Sequence, residues 1–167
     1  RLLRRCYVDY LIIMAWLYLG WGANLGQREK TLQRAIERIQ ETIGPIVARS
    51  SFHYSEPWGF SSENTFLNAC LIVETDLDAR TCLRLTQNIE KELGRTMKTE
   101  NAQYHDRLID IDILFYDNLI LNEKDLTIPH PLLHQREFVL KPLSEIAADF
   151  KHPILQKSVA ELLAILT

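Results

Sequence analysis

The sequence predicts an α+β sandwich, with helices packed on a mainly antiparallel sheet. Apolar residues alternate with a period of two in four segments, and they recur at helical spacing in two segments between those. The predicted order is therefore β–α–β–β–α–β with short C-terminal additions, which is the order of a split βαβ or ferredoxin-like fold. A length of 167 residues, without repeats or a linker, indicates one domain with a hydrophobic core.

The first half of the chain supplies two strands and a helix. Residues 16–19 predict a short buried strand that ends at the glycine-rich run GWGANLG. Residues 46–54 alternate loosely as the second strand, and the following SEPWGFSSEN is a loop by composition. The helix between the two strands ends at Gly44 and Pro45. Its apolar face consists of Leu32, Ile36, Ile39 and Ile43.

The third and fourth strands flank the second helix. Residues 66–74 predict the third strand, and Asp78 and Gly94 predict the two ends of the helix. Residues 96–106 are polar and aperiodic, which is typical of a loop, and the fourth strand follows in residues 107–115. The two faces of the third strand are Leu67, Ala69, Leu71 and Val73, and Phe66, Asn68, Cys70 and Ile72. The apolar face of the helix is Cys82, Leu85, Ile89 and Leu93.

The C-terminal part predicts shorter elements. DNLILN indicates a turn into a short paired strand, and TIPHPLLHQR is a loop marked by prolines. Residues 138–140 predict a further short strand. Two short helices are expected around residues 143–148 and 159–166.

The N-terminal segment differs from the rest of the chain. Residues 1–13 combine a basic start with an apolar run, as a secretory signal does, but Asp9 interrupts the run, and residues 11–20 are too few to span a bilayer. We expect Met14 to be the natural start and residues 1–13 to be upstream or added sequence. Residues 14–167 would then form the single domain.

Composition limits the partners of the protein. A net charge of -3 and a pI near 6.0 give no sign of a broad surface for nucleic acid or an acidic membrane. The three cysteines are odd in number and lack CxxC spacing, which indicates a reducing compartment without a disulfide framework or a zinc site. We therefore expect a cytoplasmic protein that acts on small molecules and binds neither nucleic acid nor membrane.

Two acidic residues stand inside the predicted fourth strand, RLIDIDILF. Asp110 and Asp112 project from one face, with Cα atoms roughly 6.5 Å apart. The apolar residues Ile109, Ile111, Ile113 and Phe115 line the other face. Because two like charges this close are costly in a dry environment, either the Asp face is open to solvent or a cation lies between the carboxylates.

Basic residues accompany the acidic pair. Arg95 and Lys98 precede it, Arg107 stands directly before it and Arg136 follows. Carboxylates together with Arg and Lys can bind magnesium-bridged polyphosphate, whereas a surface network of ion pairs is the alternative. The phosphate-binding pattern GxxxxGK[ST] is absent, so a nucleotide would bind without it.

Two further features are candidates for a binding site. Phe66 and Asn68 share a strand face and could offer a stacking ring beside a hydrogen-bonding amide. The pattern alone favours the alternative, in which Phe66 belongs to the core and Asn68 caps a backbone group. His130 lies in the stiff PHP sequence and is a candidate polar contact.

The ordered motifs together resemble a known family, 6-hydroxymethyl-7,8-dihydropterin pyrophosphokinase of folate biosynthesis. The resemblance covers about residues 16–149 and rests on LGWGANLGQR, SEPWGF with FLNACLIVET, IEKELGR, RLIDIDILFYDN, and IPHPLLHQREFVLKPLSEIA. It implies a ferredoxin-like fold and Mg²⁺-dependent transfer of the β,γ-diphosphoryl group of ATP to the pterin hydroxymethyl oxygen, with release of AMP. ATP would be the co-substrate, and the chain would be a monomer.

The resemblance also assigns roles to residues of this sequence. Asp110 and Asp112 would hold two Mg²⁺ ions, and Arg95 and Arg107 would stabilise the transferring group. The ATP contacts that it implies are Gln87, Glu90, Lys98, Ile113, Thr127, His130 and Arg136. The pterin contacts that it implies are Ser55, Pro57, Trp58, Gly59, Phe66, Asn68, Tyr104 and Phe138, with the pterin ring between Phe66 and Phe138.

The chain departs from the family pattern near the Asp pair. Members usually carry Trp-x-Pro-Arg-Thr where this chain has Tyr104-His105-Asp106-Arg107-Leu108. Met97 stands where some members have a second loop arginine, and Ala23 where serine is commoner. These changes concern loop closure and turnover more than the identity of the substrate.

Two other classes of protein remain as alternatives. A nucleotide-sugar transferase also uses paired Asp residues to hold a metal and a diphosphate. A ferredoxin-like RNA-binding module would need exposed aromatic residues in an RNP1-like strand and a basic face, and the sequence offers neither.

Overall fold

The structure is a computed structural model that describes residues 4–7, 10–23, 28–55, 66–95 and 109–167. The strands of the main sheet are β3 (Ala15–Ala23), β4 (Ile46–Arg49), β5 (His53–Ser55), β6 (Phe66–Thr75) and β7 (Ile109–Tyr116), preceded by the hairpin of β1 (Arg4–Tyr7) and β2 (Tyr10–Ile13) and followed by that of β8 (Leu121–Glu123) and β9 (Leu126–Ile128). The helices are α1 (Arg28–Thr42), α2 (Ala79–Arg95), α3 (Glu137–Ala147) and α4 (Val159–Leu166), and a 3-10 turn spans Leu133–Gln135.

The main sheet has the topology that the sequence predicts. Its strand order is β4-β6-β3-β7, each pair is antiparallel, and β5 continues alongside β6. The first predicted strand, β3, therefore lies between the third, β6, and the fourth, β7, as in a split βαβ fold. The α+β prediction is confirmed.

One face of the sheet is covered by α1 and α2. Leu32 and Ile39 of α1 and Cys82 and Ile89 of α2 are fully buried there, against alternate residues of β3, β6 and β7. Both predicted helices are present, and the side chain of Asp78 accepts a hydrogen bond from the Thr81 N–H at 2.8 Å, as expected of an N-cap.

The other face is covered only in part, by α3 and α4. Val139, Leu140 and Leu143 of α3 and Leu162 of α4 pack there on a second core that includes the remaining buried residues of the sheet. The part of this face near the end of β6 that begins at Phe66 is left for a cavity, described below.

A β-bulge in β7 reverses the faces to which its later side chains point. Leu19 is opposite Ile113, whereas Tyr18 is opposite Phe115, so that Leu114 is an extra residue. Phe115 consequently packs in the second core, and Ile113 stays in the first. The prediction that Phe115 shares a face with Ile109, Ile111 and Ile113 is therefore wrong.

Three predicted strands differ from the observed ones. The first is longer, because β3 continues through both glycines of GWG and is paired on each side. Residues 46–54 form two strands instead of one, because at Ser50 the side chain accepts the Cys70 N–H at 2.9 Å and interrupts the regular pairing. Residues 138–140 lie in a helix, because their apolar side chains continue at helical spacing to Leu143.

The remaining C-terminal predictions agree with the structure in outline. The helix expected around residues 143–148 is the second half of α3, and α4 has the expected bounds. The short strand after DNL is β8, which pairs with β9. Among the described helices, none combines the length and the apolar character needed to cross a membrane. The single domain from residue 14 stays a prediction.

Candidate active site

A cavity of about 200 Å³ lies on the second face of the sheet, beside the N-terminal end of α3. It contains both residues of the acidic pair and the predicted aromatic and amide groups. The residues that line it are Gly20, Trp21, Gly22, Phe66, Asn68, Ala69, Cys70, Asp110, Asp112, Leu114, Arg136, Phe138 and Val139.

The floor of the cavity is built from two glycines of the central strand. Gly22 lies between Asn68 of β6 and Asp110 of β7 in one row across the sheet. Gly20 lies between Cys70 and Asp112 in the next row. Because residues in one row share a face, the strand between the amide and the carboxylates carries no side chain there.

The side chain of Asn68, opposite Gly22 on β6, already occupies the space above this glycine. A Cβ atom at Gly22 would lie 2.9 Å from the Asn68 Oδ1, and one at Gly20 would lie 3.2 Å from the Leu114 Cδ1. The glycines therefore allow the side chains of β6 and β7 to approach each other across β3. Their spacing of two residues inside an alternating apolar segment is the sequence pattern that could have identified them.

Asp110 and Asp112 both lie on the cavity side, as the alternation predicts, and both are half-buried. Within the described ranges, no group of three or more His, Cys, Asp or Glu side chains is arranged to hold a metal ion. A pair of carboxylates fits Mg²⁺, which commonly takes one or two carboxylates and completes its shell with water and phosphate oxygens. The same pair is too small a ligand set for a structural zinc site.

Glu90 of α2 fixes the strand between the two aspartates. Its Oε2 accepts the backbone N–H of Ile111 at 2.7 Å. Among the described strands, β7 pairs only with β3, so the backbone N–H groups on its other edge have no strand to bond to. The Glu90 carboxylate supplies the acceptor for the N–H of Ile111 on that edge.

His130 is held close to the acidic pair by its backbone. Its N–H donates to the Leu114 carbonyl at 3.0 Å, and its Nδ1 accepts the Leu132 N–H at 3.1 Å. Partial burial lowers the pKa of His130 below its usual value of 6.5, the Asp112 carboxylate opposes this shift, and Arg136 adds to it. At neutral pH the ring is therefore uncharged, with its hydrogen on Nε2.

Arg136 and Phe138 enter the cavity from the start of α3. Arg136 is the N-cap residue of this helix, and its Cζ lies 5.7 Å from the centroid of the Phe138 ring. The two side chains can interact as a cation and an aromatic face. They form the wall of the cavity opposite the sheet.

A comparison with known protein families identifies the family of this chain. A family model described as 7,8-dihydro-6-hydroxymethylpterin-pyrophosphokinase (HPPK) matches residues 18–148. The chain belongs to this family. It is therefore an enzyme of the pyrophosphokinase class, as the motifs predict.

Relatives in the HPPK family are similar over most of the chain. A 2-amino-4-hydroxy-6-hydroxymethyldihydropteridine pyrophosphokinase of Porphyromonas gingivalis is 44% identical over 141 residues, which cover 84% of this chain and 95% of that protein. The enzyme of the same name from Aquifex aeolicus is 38% identical over 148 residues, 89% of this chain and 90% of that protein. A folic acid synthesis protein of Dictyostelium discoideum is 38% identical over 140 residues, but these are only 20% of its length.

Solved structures support the same fold. A crystal structure of an HPPK-DHPS protein in complex with substrates has a TM-score of 0.72 at 15% identity, covering 90% of this chain and 42% of that one. The HPPK-DHPS A437G protein of Plasmodium falciparum has a TM-score of 0.74 at 16% identity, covering 91% and 45%. The chain thus spans less than half of these longer proteins, and at this identity the likeness concerns the fold alone.

Other site residues predicted from the HPPK resemblance lie elsewhere. Gln87 is exposed on α2 and lines a separate shallow cavity with Arg80. Ile113 is buried in the first core, on the face opposite the acidic pair, and Thr127 lies half-buried on β9. Ser55 is opposite Phe66 in the pairing of β5 with β6.

The remaining predicted residues fall outside the described structure. Arg95 is the last residue of α2, and its side chain is not among the described ones. The others outside the described residues are Pro57, Trp58, Gly59, Lys98, Tyr104 and Arg107. The residues that line the cavity but were not predicted as site residues are Gly20, Trp21, Gly22, Ala69, Cys70, Leu114 and Val139.

Proposed function

We propose that the chain transfers the β,γ-diphosphoryl group of ATP to the hydroxymethyl oxygen of 6-hydroxymethyl-7,8-dihydropterin and releases AMP, as a step of folate biosynthesis. One observation carries the proposal: two carboxylates and a pair of aromatic rings with an amide line a single cavity across a glycine floor. A diphosphate and a flat heterocycle could therefore lie side by side in it.

The acidic side of the cavity suits the diphosphate. Asp110 and Asp112 would hold two Mg²⁺ ions, which, when bound, withdraw charge from the phosphate oxygens. Arg136 can donate hydrogen bonds to those oxygens from the opposite wall, and the Nε2–H of neutral His130 can do so without adding charge. Glu90 would keep the strand of the two aspartates in place through Ile111.

The aromatic side of the cavity suits the pterin. Phe66 on the sheet and Phe138 on α3 offer faces for stacking, and the Asn68 amide can both donate to and accept from the polar edge of the ring. Ser55, Pro57, Trp58, Gly59 and Tyr104 are proposed to complete this pocket.

The nucleotide is proposed to extend beyond the cavity. Gln87 lies on α2 and Thr127 lies in the β8–β9 hairpin. An ATP molecule that reaches both from the cavity would pass around β7, the edge strand of the sheet. Ile113 would contribute through its backbone, since its side chain is in the core. Lys98 is proposed as a further phosphate contact.

The reaction forms one bond and breaks one. The pterin hydroxyl oxygen attacks the β-phosphorus and loses its proton, while the bond from the β-phosphorus to the α,β-bridging oxygen breaks and AMP leaves. Arg95 and Arg107 are proposed to stabilise the charge on the transferring group, and the aspartates and stacking rings hold the two substrates in line.

Product analysis tests this function. Incubation of the protein with ATP, Mg²⁺ and 6-hydroxymethyl-7,8-dihydropterin should give AMP and the pterin diphosphate in equal amounts. Formation of ADP, or of no nucleotide product that depends on the pterin, would overturn the proposal. The Asp112→Asn variant, purified in the same way, controls for contaminating kinases.

We further propose that the protein acts as a monomer in the cytoplasm. The absence of a disulfide pattern in the sequence supports the compartment. Light scattering during gel filtration tests the monomer, for which a mass near 19.5 kDa is expected. A mass of twice that value contradicts it.

A further inference from the structure

A polar cluster joins the sheet to α3 at a distance from the reacting groups. The carboxylate of Glu145, in the last turns of α3, accepts the Ser51 N–H at 2.8 Å and the Ser51 hydroxyl at 2.9 Å. The Nε2 of His53 contacts the same carboxylate. We call these three residues the Glu145 clamp.

The sheet end of the clamp lies beside the pterin side of the cavity. His53 of β5 is opposite Asn68 of β6, which in turn is opposite Gly22 and then Asp110. His53 therefore lies in the row of residues that carries the amide and one carboxylate. Since residues opposite each other share a face, His53 points to the cavity side of the sheet.

The helix end of the clamp is linked to the cavity by helix geometry. Glu145 follows Phe138 by seven residues, which is two turns of an α-helix, or about 10 Å along its axis. The two side chains therefore project from the same side of α3. Glu145 contacts Ser51 and, in β5, His53, and Phe138 forms the wall of the cavity above β6.

The hydrogen bonds also hold Glu145 in its charged form. Burial acts to raise its pKa, but the hydrogen bonds from Ser51 and His53 outweigh it, so that the pKa of Glu145 is below its usual value. A charge-assisted contact of this kind is stronger than a neutral one and fixes direction as well as distance.

We propose that Glu145 is a positioning residue for the pterin, acting through Phe138. The clamp holds α3 against β5, and this sets how closely the Phe138 ring stands to Phe66 and Asn68 across the cavity. The inference rests on the proposed function, since it concerns the affinity of the proposed pterin pocket. It adds a residue that touches neither substrate.

The nucleotide should depend on the clamp less than the pterin does. The proposed ATP contacts Gln87 and Thr127 lie on α2 and in the β8–β9 hairpin, and neither belongs to α3 or to the clamp. Arg136, at the start of α3, is also held by its own backbone N–H, which donates to the Leu133 carbonyl at 3.2 Å. Loss of the clamp should therefore weaken binding of the pterin more than binding of the nucleotide.

The test measures both dissociation constants in three variants. Glu145→Ala removes the clamp, whereas Glu145→Gln keeps one oxygen that can accept from Ser51 and places an NH2 group toward His53. Glu92→Ala is the matched control, because Glu92 forms an ion pair with Arg38 at 2.9 Å that joins α2 to α1 on the other side of the sheet. Pterin binding is titrated in the presence of Mg²⁺ and a non-hydrolysable ATP analogue, and binding of the analogue is titrated alone.

Glu145→Ala should raise the Kd of the pterin at least about fivefold and leave that of the ATP analogue within about twofold. Glu145→Gln, which keeps an acceptor for Ser51 but loses the charge, should raise the pterin Kd less than Glu145→Ala does. Glu92→Ala should leave both constants within about twofold of the parent values. His53→Ala, which removes one partner, should raise the pterin Kd by a smaller factor, and it decides the question if Glu145→Ala does not fold.

Three results would overturn the inference. A Glu145→Ala protein that melts at a lower temperature yet binds pterin normally would make Glu145 a purely stabilising residue. Equal weakening of both ligands would mean that the clamp acts on the whole domain. If the unaltered chain does not bind the pterin at all, the proposed function fails, and the inference fails with it.

Discussion

The Gly22→Ala variant tests whether the glycine floor serves the substrate. Its added Cβ would lie 2.9 Å from the Asn68 Oδ1 and 3.4 Å from the Leu67 carbonyl oxygen. The first contact is too short to persist, and the Leu67 carbonyl oxygen, already in van der Waals contact, limits how far the methyl group can move. The Asn68 amide therefore has to rotate away from its present position.

The size of the effect follows from the hydrogen bonds that Asn68 can make. A displaced amide would lose one or two hydrogen bonds to the pterin, each contributing about 1 kcal/mol, and 1.4 kcal/mol corresponds to a factor of about ten in Kd. Gly22 has no left-handed φ, so alanine fits its extended backbone and removes the cost of a glycine in a strand, about 0.5–1 kcal/mol. Pterin affinity should thus fall about tenfold without a loss of stability.

Calorimetric titration of the pterin and thermal unfolding together test this expectation. Gly20→Ala is the matched comparison, because the three atoms nearest to its methyl group all belong to the Leu114 side chain, the nearest at 3.2 Å, and that side chain can move. We expect a smaller loss of affinity in this variant, about threefold or less. Normal pterin binding by Gly22→Ala would refute the reasoning, and so would a loss of binding that merely follows a loss of stability.

Two further predictions concern the supports of the site and of the fold. Glu90→Ala should lower the free energy of unfolding by about 1–3 kcal/mol, because the Ile111 N–H loses its acceptor, and Glu90→Gln should restore most of it in denaturant titrations. His152 accepts the N–H groups of Ile154 and Leu155 through Nδ1, and burial, with nearby His134, lowers its pKa. The folded chain therefore binds this proton less readily than the unfolded chain. Stability should be full above pH 6.5 and fall below it, less so in His152→Asn.

Either prediction has a clear contrary result. Equal stabilities of Glu90→Ala and the parent chain would mean that water replaces the carboxylate at Ile111. Melting curves of the parent chain and of His152→Asn that shift by the same amount with acid would mean that another group carries the pH dependence.

The sequence predicted the parts of the fold that depend on local periodicity. Alternation placed Asp110 and Asp112 on the face opposite Ile109 and Ile111, and helical spacing gave the buried faces of α1 and α2. The bulge at Leu114 could not be foreseen, because it arises from pairing with Tyr18 and Leu19 of β3, far earlier in the chain. A one-residue insertion of this kind reverses the facing of every later side chain in the strand.

The candidate site likewise contains residues that the sequence predicts and residues that only the structure reveals. Phe66, Asn68 and Phe138 were predicted from motifs, and the structure brings them together with the acidic pair. The two glycines were misread as the end of a strand, because glycine is uncommon in strands, and only the neighbouring strands show what the missing side chains allow. The Glu145 clamp joins residues more than ninety positions apart, so no local pattern could reveal it.

The central claim is that the two carboxylates on β7 bind the metal and diphosphate of the reaction. The most direct test is the rate of pterin-dependent AMP formation, measured over a range of Mg²⁺ concentrations, for the parent chain and for Asp110→Asn and Asp112→Asn. Each variant should fold, retain binding of the pterin ring, and lose at least about a hundredfold in rate, with a shift of the Mg²⁺ dependence to higher concentration. A variant that forms AMP at nearly the parent rate, with the same Mg²⁺ dependence, would contradict the claim.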